Sequence, residues 1–127
     1  MLALAGSAGL LVAAAPVQRA AEALLARVPT GRWQLHEIGS AAPPRAVCIA
    51  DTQQLLQVRH GAAACARFVI DAGPRTATVH YTCPGAGHGR TMLTVEEPGL
   101  LRIQTQGIAG GQPFDMDLEA RRMGACG

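Results

Sequence analysis

Four cysteines and four histidines are the residues of this 127-residue chain whose chemistry could reach beyond packing: Cys48, Cys65, Cys83 and Cys126, and His36, His60, His80 and His88. Two chemistries compete for the sulfurs. The first is oxidation to disulfides, for which the position of Cys126 beside the last residue speaks, because a bridge there would tie down an otherwise fraying end. The second is a metal site built from His80, Cys83 and His88, with Cys65 as a further ligand. Spacings of three and five residues permit zinc, but no Cys-x-x-Cys pair is present, and export would favour oxidation. Disulfides are the preferred reading, and no metal or cofactor is expected.

Other chemistry-bearing groups read as structure. Asp115, Asp117 and Glu119 alternate along one segment, which spaces them about 7 Å apart on one strand face. Catalytic carboxylate pairs come from elements that enclose a cleft, and a hard cation needs its oxygens within about 2.5 Å, so a solvated face is expected. Gly85-Ala86-Gly87-His88-Gly89 lacks the following helix and the Lys-Ser or Lys-Thr pair of a phosphate-cradling loop, and reads as a flexible connection. The histidines read as surface or turn residues, since none lies near a Ser or Cys in the pattern of a triad. No catalytic residue is expected.

The elements that must position these residues follow from periodicity. Phe114, Met116, Leu118 and Ala120 alternate with Asp115, Asp117, Glu119 and Arg121, a strand with one dry and one wet face. Leu93 and Val95, then Glu97-Pro98-Gly99, then Leu101 and Ile103 make a hairpin, with residues 107–113 as a glycine-rich link to the last strand. Residues 32–38 and 45–50 read as strands, as do 66–71 and 75–83 around the Ala72-Gly73-Pro74 turn. Between Asp51 and Gly61 one short helix is expected, with Asp51 and Gln54 resembling a capping box and Gly61 closing it.

In the 66–83 hairpin Cys65 and Cys83 lie nearly equidistant from the turn and could meet across the strands. That register puts Val69, Val79 and Tyr81 on one face but sends Phe68 and Ile70 to the face of Thr78 and His80, so it needs a bulge or burial of both faces. Cys48 would then pair with Cys126, closing about 79 residues against about 19, worth roughly 4.5 and 3 kcal/mol on a chain-entropy argument. Four cysteines allow three connectivities, and the sequence alone leaves them open.

From Leu2 to Ala15 the chain is Leu, Val, Ala and Gly with one Ser, the length of a signal-peptide apolar region and short for a bilayer span. Residues 1–23 are read as a signal peptide or leader helix, with small residues at Ala13 and Ala15 or at Ala21 and Ala23 offering the cut. The rival reading takes Val17, Ala21, Leu24, Leu25 and Val28 as a helix that stays on the domain and stops before Pro29. Eleven arginines against nine acids, spread without blocks, give a formal charge of +2 and no stripe for nucleic acid or membrane surface. With only Trp33, Tyr81, Phe68 and Phe114 as aromatics, the core must rest on aliphatic residues.

Taken in order, Gly31-Arg32-Trp33, Cys48 before a short helix, Cys65 and Cys83 flanking a hairpin, and the closing Arg122-Met123-Gly124-Ala125-Cys126 resemble the bacterial exported family called domain of unknown function 3617. The resemblance covers nearly everything after the leader. It departs after Cys48, where Ile49-Ala50-Asp51-Thr52 stands in place of the usual Leu-Thr-Pro-Glu. It implies a small exported protein without an assigned activity.

The expected architecture is mainly β: a curved antiparallel meander, an open barrel or half-barrel, of about six or seven strands with one short helix and an N-terminal leader helix. Residues 24–127 form a single disulfide-linked domain in the bacterial periplasm or outside the cell, with no membrane span in the mature form. The expected function is non-enzymatic: an envelope protein binding a small apolar molecule between its concave face and the helix Asp51 to Gly61. Pairing with an envelope protein through a sheet edge is the second expectation, and a hydrolase with a His/acid site the third.

Overall fold

The computed structural model describes residues 16–127, together with Ala3, Ala5 and Gly6. The rest of the apolar leader read over residues 2–15 lies outside the described residues. Helix α1 (Pro16–Ala26) is followed by strands β1 (Gly31–Glu37) and β2 (Arg45–Ile49), a one-turn 3-10 helix η1 (Thr52–Leu56), then β3 (Ala66–Ala72), β4 (Thr76–Cys83), β5 (Gly87–Glu97), β6 (Leu100–Ala109) and β7 (Gln112–Gly124). The seven strands form one antiparallel sheet in the order β2-β1-β7-β6-β5-β4-β3, not closed into a barrel. Strands β3 to β7 are a meander, and the β1–β2 hairpin extends the sheet beyond β7.

Period-two alternation produces a dry inner face and a wet outer one. Ala77, Val79 and Tyr81 of β4, Leu93 and Val95 of β5, Leu101 and Ile103 of β6, and Leu118 and Ala120 of β7 are buried on the inner face, joined by Trp33 and Leu35 of β1. The acidic row of β7 lies on the outer face, as its alternation predicts. There Arg102 forks onto Asp117, with Nε–Oδ1 and Nη2–Oδ2 distances of 3.0 and 2.7 Å, and Arg121 reaches Glu119 at 3.4 Å. The hydrogen bond from Arg102 holds the Asp117 carboxyl below its ordinary value, against an opposing desolvation and with the Arg102 charge as a lesser contribution.

Two lids cover the inner face. Helix α1 begins with proline at its first position, where no intrahelical N–H is needed, and lays Ala21, Leu24 and the following Val28 against β3 and β4. Arg27 ties its end to the β3–β4 turn by donating to the Pro74 carbonyl at 3.0 Å. The helix of the rival reading is therefore packed on the sheet, with buried residues on both sides of Ala23. The second lid is η1, whose Leu55 and Leu56 are buried over β5, β6 and β2.

Several expectations about local structure are corrected. The segment Asp51 to Gly61 holds only one 3-10 turn before a run of turns, and Asp51 caps it by accepting from the Gln53 amide at 3.0 Å, not through a capping box with Gln54. Gly61, at φ +59, closes the turns by donating to the Gln57 carbonyl. The glycine-rich segments are mostly strand: Gly87 to Gly89 belong to β5 and Gly107 to β6, so the links shrink to Pro84-Gly85-Ala86 and Gly110-Gly111. Both glycines of the second link have positive φ, +55 and +77, the requirement of a two-residue hairpin turn that follows strand twist.

The structure joins Cys48 to Cys126 and Cys65 to Cys83. The β3–β4 ladder pairs Val69 with Val79 and then slips, leaving Ile70 as the bulged residue. The bulge does not draw the apolar side chains inward: Phe68 is 69% exposed and Ile70 41% exposed. Cys48 sits opposite Arg32, and Arg32 sits opposite Gly124, so the first bridge fastens edge strand β2 to the chain beyond β7 across β1.

Candidate functional site

The inner face is filled unevenly. Under α1 the sheet meets the buried Ala21 and Leu24, whereas η1 reaches β2, β5 and β6 through a single short segment, and two hollows adjoin beside it. One, of about 240 Å³, lies between β2 and the η1 turns, walled by Leu35, Val47, Ile49, Val58 and Ala62, with the Gln54 amide at its side. The other, of about 300 Å³, lies below the end of β1, against Pro43, Val58, Met116 and Leu118. Leu35, Arg45 and Val58 line both, so the two hollows adjoin; together they make up a groove, each at the few-hundred-Å³ scale of small-molecule sites. Three charged, exposed residues stand at its rim: Arg45, Arg59 and Glu37.

The groove exists because its residues come from strands and turns that cannot close on one another. Arg45 and Val47 share the inward phase of edge strand β2, opposite Leu35 and Trp33. Val58 follows the buried pair Leu55 and Leu56, and is itself buried at the groove floor. Buried Gln57 holds this segment rigid: its amide donates to the Gly61 and Ala63 carbonyls at 3.0 and 2.8 Å, and its oxygen accepts from Arg67 at 2.9 Å. The Cys48–Cys126 bridge fixes the opposite wall.

A polar network anchors the other flank of the η1 segment. His60 Nε2 faces the carbonyl oxygens of Ala86 and Ile108 at 3.0 and 3.1 Å, which can only accept, so this nitrogen carries hydrogen; Nδ1 lies 2.8 Å from the Tyr81 hydroxyl. Burial pushes the Tyr81 phenol up, opposed by its hydrogen bond with Thr105 and by the charge of Arg59. Thr105 meets Thr91 at 2.8 Å, and Thr91 donates to the Leu56 carbonyl at 2.6 Å. Gly89 makes room for the ring, since a Cβ there would lie 2.5 Å from the Tyr81 oxygen. His60 sits in a turn, as the sequence reading has it, and its ring is in addition a structural tie.

The other sequence candidates are dispersed. His80 and His88 stand together on the outer face, ring centroids 6.1 Å apart, while Cys83 is buried on the inner face and bonded to Cys65. The His-Cys metal reading is overturned by this: strand alternation separates its ligands and the sulfurs are oxidised. Among the described residues no group of three or more His, Cys, Asp or Glu side chains is placed to hold a metal ion. Sequence reasoning missed Arg45, Val58, Arg59 and Thr91. Thr91 had a signal, as a hydroxyl in the inward phase of Leu93 and Val95; the groove residues had none. No family model, curated protein or solved structure matches this chain.

Proposed function

We propose that this protein binds a small apolar molecule in the groove between β2 and the η1 turns, as a non-enzymatic component of the bacterial envelope. The observation that carries the reading is the apolar hollow around Leu35 and Val58, held open by rigid surroundings: a bridge on one wall, the Gln57 hydrogen bonds on the other. The site lies beside the 3-10 turn and not beneath it, where Leu55 and Leu56 fill the space. Export to the periplasm or beyond is supported by the apolar leader and by two disulfides that use every cysteine. Processing after Ala15 fits the packing better than after Ala23, because a cut after Ala23 would divide α1 and remove Ala21 from the core. The ordered motifs support membership of domain of unknown function 3617. Among the described residues no helix is long and apolar enough to cross a membrane.

Native mass spectrometry of protein recovered from the periplasm tests the reading. A bound small molecule, absent from a Val58→Trp variant that melts normally, is the expected result. Protein that emerges empty from every preparation and takes up no apolar probe would refute it.

Exposed Phe68 and Ile70 on edge strand β3 favour a second reading, pairing with an envelope protein through the sheet edge. It predicts concentration-dependent association that Phe68→Glu abolishes.

A further inference from the structure

We infer that the ligand of this groove is an anionic amphiphile, a hydrocarbon chain ending in a carboxylate or similar acid, with its head held between Arg45 and Arg59. The inference rests on the groove reading and adds the chemistry of the ligand's polar end. The walls are aliphatic over most of their length, so the body of the ligand is hydrocarbon. The rim is not neutral. Arg45 borders both hollows, and Arg59 follows the floor residue Val58 directly and borders the second. Among the described residues the salt bridges are Arg102–Asp117 and Arg121–Glu119, so neither rim guanidinium is engaged by a protein acid.

Arg19, Arg32 and Arg90 are likewise exposed and outside the two salt bridges, so what sets Arg45 and Arg59 apart is their place on the lining of the hollows. Arg27, Arg67, Arg75 and Arg122 donate to carbonyl or amide oxygens, and Arg102 and Arg121 to carboxylates. Two unengaged cations beside one acid, Glu37, leave the mouth net positive. A guanidinium prefers a planar two-oxygen acceptor, which a carboxylate head supplies. A cationic head would be repelled there, and a neutral hydroxyl would accept at most a hydrogen bond without the ion pair. The short lid leaves the mouth open to solvent at the rim, so the charged end need not be desolvated while the chain is buried.

Titration calorimetry of the full disulfide-bonded protein with decanoate, decanol and decyltrimethylammonium, below their aggregation concentrations, tests this. Decanoate should bind more tightly than decanol by about tenfold, the cation should be weakest, and higher salt should narrow the difference. Arg45→Gln and Arg59→Gln should each weaken decanoate by about fivefold to tenfold and leave decanol unchanged, while Glu37→Gln should tighten decanoate. Val58→Trp should abolish both, with an unchanged melting temperature as the control for folding. If decanol binds as well as decanoate and the arginine variants change neither, the anionic head is wrong and the groove reading survives. If no probe binds, or if Val58→Trp leaves binding intact, both fall.

Discussion

Two lids of different length cover the inner face of one sheet, and the hollows border the shorter of them. Over β3 and β4 the cover is α1, a helix of three turns whose Val17, Ala21, Leu24 and Leu25 recur at spacings of three and four, so that one stripe meets the sheet along its length. Beside β1 and β2 the cover is η1, five residues whose two leucines plug the middle and whose continuation through Gly61 is turns. A short 3-10 segment presents apolar side chains over one turn only. The lesson is that lid length, not sheet composition, decides where this fold keeps space.

The strongest way to break the contrast is to release the groove wall. Replacing Cys48 and Cys126 with serine should cost up to about 4.5 kcal/mol. In hydrogen exchange the loss should appear first in β1 and β2, while amides under α1 stay protected; uniform loosening would show that the two regions are not independent. Next in size, truncating each lid should sharpen the comparison. Leu24→Ala, on the longer lid, should cost about 2–5 kcal/mol in urea unfolding, whereas Val58→Ala, already bordering a hollow, should cost about 1 kcal/mol or less. Equal costs would mean that the groove is closed in solution.

The smallest effect belongs to the outer face, which neither lid touches. The Asp117 carboxyl is held below its ordinary value by Arg102, so the pair's stabilisation is full above the normal carboxylate range and is lost as pH falls through the lowered value. Both side chains are more than a third exposed, so solvent screens the pair and the acid-unfolding midpoint of Asp117→Asn should move only slightly. A large shift would place Asp117 in a more enclosed environment than its exposure indicates.

Much of the fold was legible because alternation reports directly on which face a residue meets. Phe114 to Arg121 reads as a strand in sequence and is one in β7; Asp51 caps a short helix as its side chain requires; the cysteines flanking the β3–β4 turn are bonded. The glycine segments misled, for a physical reason. Gly87, Gly89 and Gly107 lie where a side chain would strike Ile108, Tyr81 or the His88 carbonyl. Glycine here serves close approach within the sheet, and sequence alone cannot separate that use from a loop. His60 lies in a turn as read, but its role as a tie was not legible, because its partners at 81, 86 and 108 are brought to it by three different strands or turns.

By itself the sequence determined the alternating strands, the Asp51 cap and the split between a dry and a wet face, since each depends on neighbours a few residues away. Only the tertiary structure decided the groove, because an unfilled volume belongs to no single segment. Leu35, Val58 and Met116 surround it from far-apart positions in the chain, and space remains there because the lids above them differ in length.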